Sequence, residues 1–379
     1  MEPADRSPNA AEIRPEELVT RLQSGEPVLI LDIRPRTERQ EWAIPHSLWI
    51  DLYDAAQRGD FRLLDSLAVP PTSLVVVVCA AGRTSSRVAQ ELQRRGIRAA
   101  SLAGGMRAWS LAWDIATLPI SSTGQVLQVR RLGKGCLSYL VVDSGEALVI
   151  DPSLQPDVYL QLAESLGAKI VGVLETHVHA CHVSRGRLLS EAAAAPYRIP
   201  ATDRVRFAYT PVTDGDVITV GSLQLIALST PGHTWESTCY LLPDHALFTG
   251  DTLFTDGIGR PDLKAGGDER ARKARALFDS LQRLGTLSDS LWVLPSHVGT
   301  PLAVGEPLVA GRLHELYKRF VAPFEQPDHF VEALLQHLPP PPPNTDQITR
   351  ANELGVPPSE LASLLELEAG PNRCAVQGA

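Results

Sequence analysis

Three histidines fall inside one heptapeptide, THVHACH, from Thr176 to His182. Imidazole is the commonest side-chain ligand for metals, and His177, His179 and His182 on one extended loop can turn toward a single point. Further along come His233 in STPGHT, Asp251 in LFTGDTLF and His297 in PSHVG, each directly after an apolar, strand-like run. A lone histidine is more often a hydrogen-bonded structural residue. Imidazoles and a carboxylate recurring at strand ends instead point to a metal site. Different chemistry is available at Cys79, which closes an apolar run and opens CAAGRTSS, Cys79 to Ser86. A sulfur placed there meets a curl of backbone N–H groups and the positive end of the following helix. Both stabilise a thiolate or a terminal persulfide anion. Gly82 supplies the backbone freedom that the curl needs.

These residues need elements to hold them. PVLILDI (Pro27 to Ile33) and LVVVVCA (Leu74 to Ala80) read as buried strands, and SSRVAQELQRRG (Ser85 to Gly96) as an amphipathic helix closed by glycine. Strands alternating with helices predict an α/β domain on a parallel sheet. The polar stretch ATLPISSTGQ, Ala116 to Gln125, reads as the connection to a second domain. Beyond it, CLSYLVVDSGEALVIDP (Cys136 to Pro152) predicts a hairpin turning at DSGE. A helix over Asp157 to Leu166, a strand over Ile170 to Thr176, and strands near Val217 to Val220 and Leu223 to Leu228 complete a mixed sheet with helices outside. After about Phe320 comes a helical tail interrupted by five prolines, Pro339 to Pro343. That run favours polyproline II and reads as a spacer.

Composition narrows the function. A chain of 379 residues with 44% apolar side chains can bury more than one core. A net charge of −9 lacks the cationic surplus that holds a phosphate backbone, which predicts no nucleic-acid partner. The longest aliphatic run, Leu74 to Val78, is far short of the roughly 20 residues that a membrane helix needs. The opening MEPADRSPNAAEIRPEEL has no apolar signal core and too many acids for a transit peptide, which predicts a cytoplasmic protein. Five scattered cysteines, Cys79, Cys136, Cys181, Cys239 and Cys374, argue against a disulfide framework.

LDIR (Leu31 to Arg34), the CxxGRTS loop at Cys79 and LAGGMRAW (Leu102 to Trp109) together resemble the rhodanese family over about residues 12 to 115. The resemblance implies a sulfurtransferase module in which Cys79 accepts sulfane sulfur and the N–H groups of Ala80, Ala81, Gly82, Arg83, Thr84 and Ser85 cradle it. Trp42 to Ile44 stands where relatives often have Gly-His-Ile. The histidine and aspartate segments, from about Val126 to Phe320, resemble the metallo-β-lactamase superfamily with its HxHxDH signature. GKGCLSYL (Gly133 to Leu140), THVHA, GDTLFTDGIGRPDL (Gly250 to Leu263) and LPPPPPNTDQITRAN are similar to its persulfide dioxygenase branch. That branch implies one Fe(II) per chain, held by His177, His233 and Asp251, with Arg260 contacting a glutathionyl group. Zinc is the alternative metal.

Two departures stand out. Cys181 replaces the Asp of HxHxDH, and Val298 and Gly299 replace the frequent Asp-Tyr after the last histidine. The first removes an oxygen ligand from a hydrolase-like second metal site. It leaves His179, Cys181, His182 and His297 as ligands of a softer second metal or as packing around the first.

The expected architecture is an α/β rhodanese domain over residues 10–117, an αββα metallo-β-lactamase sandwich over 122–320 and a mostly helical C-terminal extension over 321–379. The expected function is iron-dependent oxidation of glutathione persulfide to sulfite, with rhodanese-type sulfur transfer between persulfide, thiosulfate, sulfite and glutathione. Oxygen is the co-substrate, and assembly into a homo-oligomer stays open. The competing readings are a zinc thioester hydrolase of the glyoxalase II type and a catalytically weak persulfide-binding or sensing protein.

Overall fold

The structure is a computed structural model that describes residues 11–356 and 361–377. The first ten residues, which the localisation reading used, lie outside the described residues. Among those described, no helix is long and apolar enough to cross a membrane.

Val28–Asp32 and Leu74–Val78 form the centre of a parallel five-stranded sheet, flanked by Ala99–Leu102 and Glu12–Ile13 on one side and Leu48–Trp49 on the other. Val75 to Val78 are fully buried, as continuous aliphatic strands are when both sheet faces are covered. The central strand delivers Cys79 to the start of the helix Arg83–Arg94.

Two sheets then pack face to face. The seven-stranded sheet runs in space from Thr210–Val212 through Tyr197–Pro200, Lys169–Leu174, Glu146–Ile150, Leu137–Asp143 and Gln125–Arg131 to Trp113–Pro119. The six-stranded sheet carries Val217–Val220, Leu223–Ser229, Thr238–Leu242, Ala246–Gly250, Trp292–Pro295 and Gly311–Arg312. Alternation sends Tyr139, Val141, Leu148 and Ile150 inward to meet Leu225, Ala227, Tyr240 and Phe248. Tyr159, Ala163 and Leu189 of the helices Pro156–Ser165 and Gly186–Ala193 cover one outer face. Ala274, Leu277, Phe278 and Leu281 of Asp268–Leu284 cover the other. The result is the expected αββα order.

The structure differs from the sequence reading at the junction. Trp113–Pro119 pairs antiparallel with Gln125–Arg131 along its whole length. The polar stretch read as a connection is therefore one arm and the turn of a hairpin on the edge of the sandwich, where alternate side chains face water. The tail also differs. Beyond the helices Pro327–Gln336, Thr345–Leu354 and Leu361–Leu367, a strand Ala375–Gln377 pairs antiparallel with Gly257–Gly259. The proline run is a docked segment of the molecule, for the carbonyls of Pro339 and Pro340 accept hydrogen bonds from Arg260.

Candidate functional site

Strand ends place every candidate ligand. Lys169–Leu174 runs into the histidine loop, Leu223–Ser229 leads to His233, Ala246–Gly250 to Asp251 and Trp292–Pro295 to His297. Asp151, just past Glu146–Ile150, organises the loop by accepting from the Thr176 N–H at 2.7 Å and the Thr176 hydroxyl at 2.8 Å. With its proton given to Asp151, the Thr176 hydroxyl accepts from His177 Nδ1 at 2.9 Å. The His177 Nε2 lone pair therefore faces inward. His233 is fixed the same way, its Nδ1 donating to the Arg260 carbonyl at 2.8 Å. Asp251 Oδ2 lies 3.6 Å from His177 Nε2 and 3.4 Å from His233 Nε2.

His177 Nε2 and Asp251 Oδ2 are buried and have no hydrogen-bond partner among the described residues. Leaving a buried polar atom unpaired costs about 1–3 kcal/mol, and more when it is charged. A cation bound between them removes that cost. Burial lowers His177 well below its ordinary range and His233 to about 4, so both are neutral, as ligands must be. Burial opposes ionisation of Asp251, but the His297 imidazole, itself raised in pKa by Asp251, outweighs it and holds the carboxyl far below its ordinary range. The three residues thus fit a metal. Gly259 makes the site possible, because a Cβ there would sit 2.0 Å from the Asp251 carbonyl oxygen.

The remaining histidines form a second layer. His179 Nε2 donates toward both Glu175 at 3.0 Å and Asp151 at 3.2 Å. Burial works against its charge, but Asp151 and then Glu175 raise it to about 10. Cys181 Sγ, His297 Nε2 and His182 Nδ1 form a triangle with sides of 2.9, 3.4 and 3.6 Å. The His297 Nδ1–H donates to Asp251 Oδ1 at 2.6 Å, so one carboxylate links the two clusters. The sequence reading missed Cys374, which the terminal strand brings into one buried group with Cys181, Asp251 and His297. Nothing in its local sequence marks it. Asp151 was equally missed, although its position after an apolar strand is the same signal that marked Asp251.

Arg260 is placed beside the centre, but its donors are engaged outside it. Its main chain serves His233, and its guanidinium spends all five donors elsewhere: on Asp262 at 2.8 Å twice, and on the carbonyls of Pro339, Pro340 and Arg373 at 2.8, 3.2 and 3.0 Å. In this arrangement it has no donor left for a substrate.

The sulfur site is separate. Cys79 Sγ accepts from the Gly82 N–H at 3.2 Å and the Ser85 N–H at 3.4 Å, and lies 3.2 Å from the Ser85 hydroxyl. Of the six loop N–H groups expected around it, these two reach the sulfur. Gly82, at φ 89°, holds the left-handed conformation that turns its N–H inward. Ala81 and Arg83 line an adjoining cavity of about 570 Å³. The Ala80 carbonyl accepts from the Arg107 N–H, and Thr84 is buried.

The metallo-beta-lactamase superfamily model matches residues 132–297 and the rhodanese-like domain model residues 14–112. The crystal structure of ETHE1 from Myxococcus xanthus superposes with a TM-score of 0.53 at 32% identity, covering 61% of this chain and 98% of that one. This chain belongs to the metallo-β-lactamase superfamily. It carries its superfamily domain behind a rhodanese-like domain. Within the superfamily, hydroxyacylglutathione hydrolase of Rhodospirillum rubrum is 34% identical over 163 residues, 41% of this chain and 58% of that protein. The mitochondrial persulfide dioxygenase ETHE1 of Homo sapiens is 32% identical over 165 residues, 42% of this chain and 63% of that protein. The matched region therefore spans less than two thirds of either relative, and the two are similar to this chain at nearly equal identity.

Proposed function

We propose that this protein oxidises a thiol persulfide, glutathione persulfide foremost, at a mononuclear Fe(II) centre, and transfers sulfane sulfur at Cys79. Glutathione persulfide, dioxygen and water would give glutathione and sulfite. The observation that carries the reading is the convergence of His177 Nε2, His233 Nε2 and Asp251 Oδ2, two of them buried without a partner, while Cys181 stands where a two-metal hydrolase needs a carboxylate. A facial set of two histidines and one carboxylate leaves coordination positions open for dioxygen activation, which is the chemistry that ferrous iron supplies.

The chain's own groups prepare that site. Thr176 and the Arg260 carbonyl fix the tautomers of His177 and His233. His297 holds the second oxygen of Asp251, so the carboxylate presents one oxygen inward. The cationic His179, clamped by Glu175 and Asp151, packs its ring 4.1 Å from that of His177 and braces it. At Cys79 the Gly82 and Ser85 N–H groups would stabilise a persulfide anion between its two transfers.

Metal analysis combined with oxygen uptake tests the reading. One iron per chain and oxygen consumption on glutathione persulfide are expected. Two zinc ions with thioester hydrolysis and no oxygen consumption would overturn it. The triangle of Cys181, His182 and His297 is a separate candidate for a softer second ion beside the first. A metal stoichiometry above one that falls in Cys181→Ser would establish that second site.

A further inference from the structure

A cavity of about 260 Å³ has the metal-site residue His233 in its wall, together with Val178 and Ala180 of the histidine loop, Trp235, Leu263 and Lys273. Lys273, in the helix Asp268–Leu284, is only 5% exposed. Its ammonium has three donors, yet among the described residues its one hydrogen bond is a long one, 3.4 Å to the Leu263 carbonyl. The other charged groups around the cavity are already engaged. Arg204 donates to Glu236 at 2.8 Å and to Glu353 at 3.0 Å, Lys264 lies 3.8 Å from Glu353, and Glu269 accepts from the Trp235 indole at 3.1 Å.

A cation held out of water with unspent donors is costly unless an anion meets it. Val178, Ala180, Trp235 and Leu263 give the wall an apolar part, which suits the organic body of a molecule carrying that anion. Lys273 and His233 line the same cavity. An anion on the ammonium would therefore sit near the metal centre. Arg260, the other candidate for the task, has no free donor.

We propose that Lys273 anchors a carboxylate of the thiol carrier, so that the cavity takes a carboxylate-bearing thiol of the glutathione class with its sulfur toward the metal centre. This rests on the reading of a glutathione-linked substrate. Calorimetric titration of S-methylglutathione, an unreactive form of the carrier, into the metal-loaded full chain tests it without turnover. Wild type should bind S-methylglutathione at least about tenfold more tightly than its diethyl ester, in which both carboxylates are masked, the ratio expected for one charge-assisted hydrogen bond. Lys273→Met should weaken S-methylglutathione by the same factor and abolish the preference over the ester, while Lys273→Arg retains it. Equal affinity of wild type for acid and ester, equal affinity of wild type and Lys273→Met for the acid, or no binding to wild type would each overturn the anchor. Loss of the dioxygenase reading would look different: no oxygen uptake, with the acid-over-ester preference intact.

Discussion

Asp251 divides its two oxygens between jobs, one aimed with His177 and His233 at a common point and the other tied to His297. Replacing it by alanine therefore removes a ligand and frees His297 together. His177→Ala, His233→Ala and Asp251→Ala are each expected to drop metal content from one per chain to background, measured by elemental analysis on the purified variants. Lys273 adds a pH signature. Burial pulls its ammonium down to about 8, and Arg204 adds to that, while Glu236, Glu269 and Asp262 hold it up. The charged form binds a carboxylate and the neutral form does not. Affinity for S-methylglutathione should thus be level on the acid side of about pH 7 and fall as pH rises beyond about 8, by at most ~tenfold per unit. In Lys273→Arg the fall should vanish, because a guanidinium stays charged throughout. Calorimetry across that pH range reads both.

At the scale of elements, the C-terminal extension is held by two buried charged side chains, one through backbone carbonyls and one through ion pairs, and the centre is built partly against it. Arg260 is one. The other is Glu368, just beyond the helix Leu361–Leu367, which accepts from Arg131 at 2.9 Å, from Arg185 at 3.2 Å and from the Val183 N–H at 2.8 Å. Burial opposes its charge, and Arg131 and then Arg185 keep its pKa below the usual carboxylate range. Glu368→Ala leaves two guanidinium groups buried without their carboxylate. A loss of about 3–5 kcal/mol is expected from a break of this kind, read as a lowered free energy of unfolding, with the extension becoming open to limited proteolysis. Gly259→Ala tests the strand beneath the centre. The added Cβ collides with the Asp251 carbonyl, so metal affinity should fall although no ligand has changed. Metal content equal to wild type after dialysis would show that the strand can shift without disturbing Asp251.

At the scale of the whole molecule, the two candidate sites sit in different domains, and the two proposed activities should separate by single substitutions. Cys79→Ser takes away the sulfur on which a persulfide forms and leaves every candidate metal ligand in place. Thiosulfate:glutathione sulfur transfer should vanish while oxygen uptake on supplied glutathione persulfide persists, and His233→Ala should do the reverse. A paired assay of the two variants decides it. Loss of oxygen uptake in Cys79→Ser would mean that the rhodanese domain delivers sulfur obligatorily to the metal centre. Much of this arrangement was readable from residue order. The ligands follow apolar strands, the Cys79 loop opens a helix, and apolar runs at strand and helix periods build the parallel sheet and the αββα sandwich. These are short-range patterns, and a few successive backbone dihedrals suffice to express them. What could not be read was which distant groups meet. Glu368 reaches Val183 across 185 residues, Cys374 joins Cys181 and His297, and the stretch read as an interdomain connection pairs as an edge hairpin. Nothing in DERARKARALFDSLQRL marks Lys273, and Arg260 was expected to contact a glutathionyl group. Local spacing orients a side chain on its own element, but packing between elements decides which donors are consumed and which are left facing a cavity. For that reason the meeting of His177, His233 and Asp251 was legible in the chain, while the consumption of every Arg260 donor by Asp262 and the carbonyls of Pro339, Pro340 and Arg373 was not.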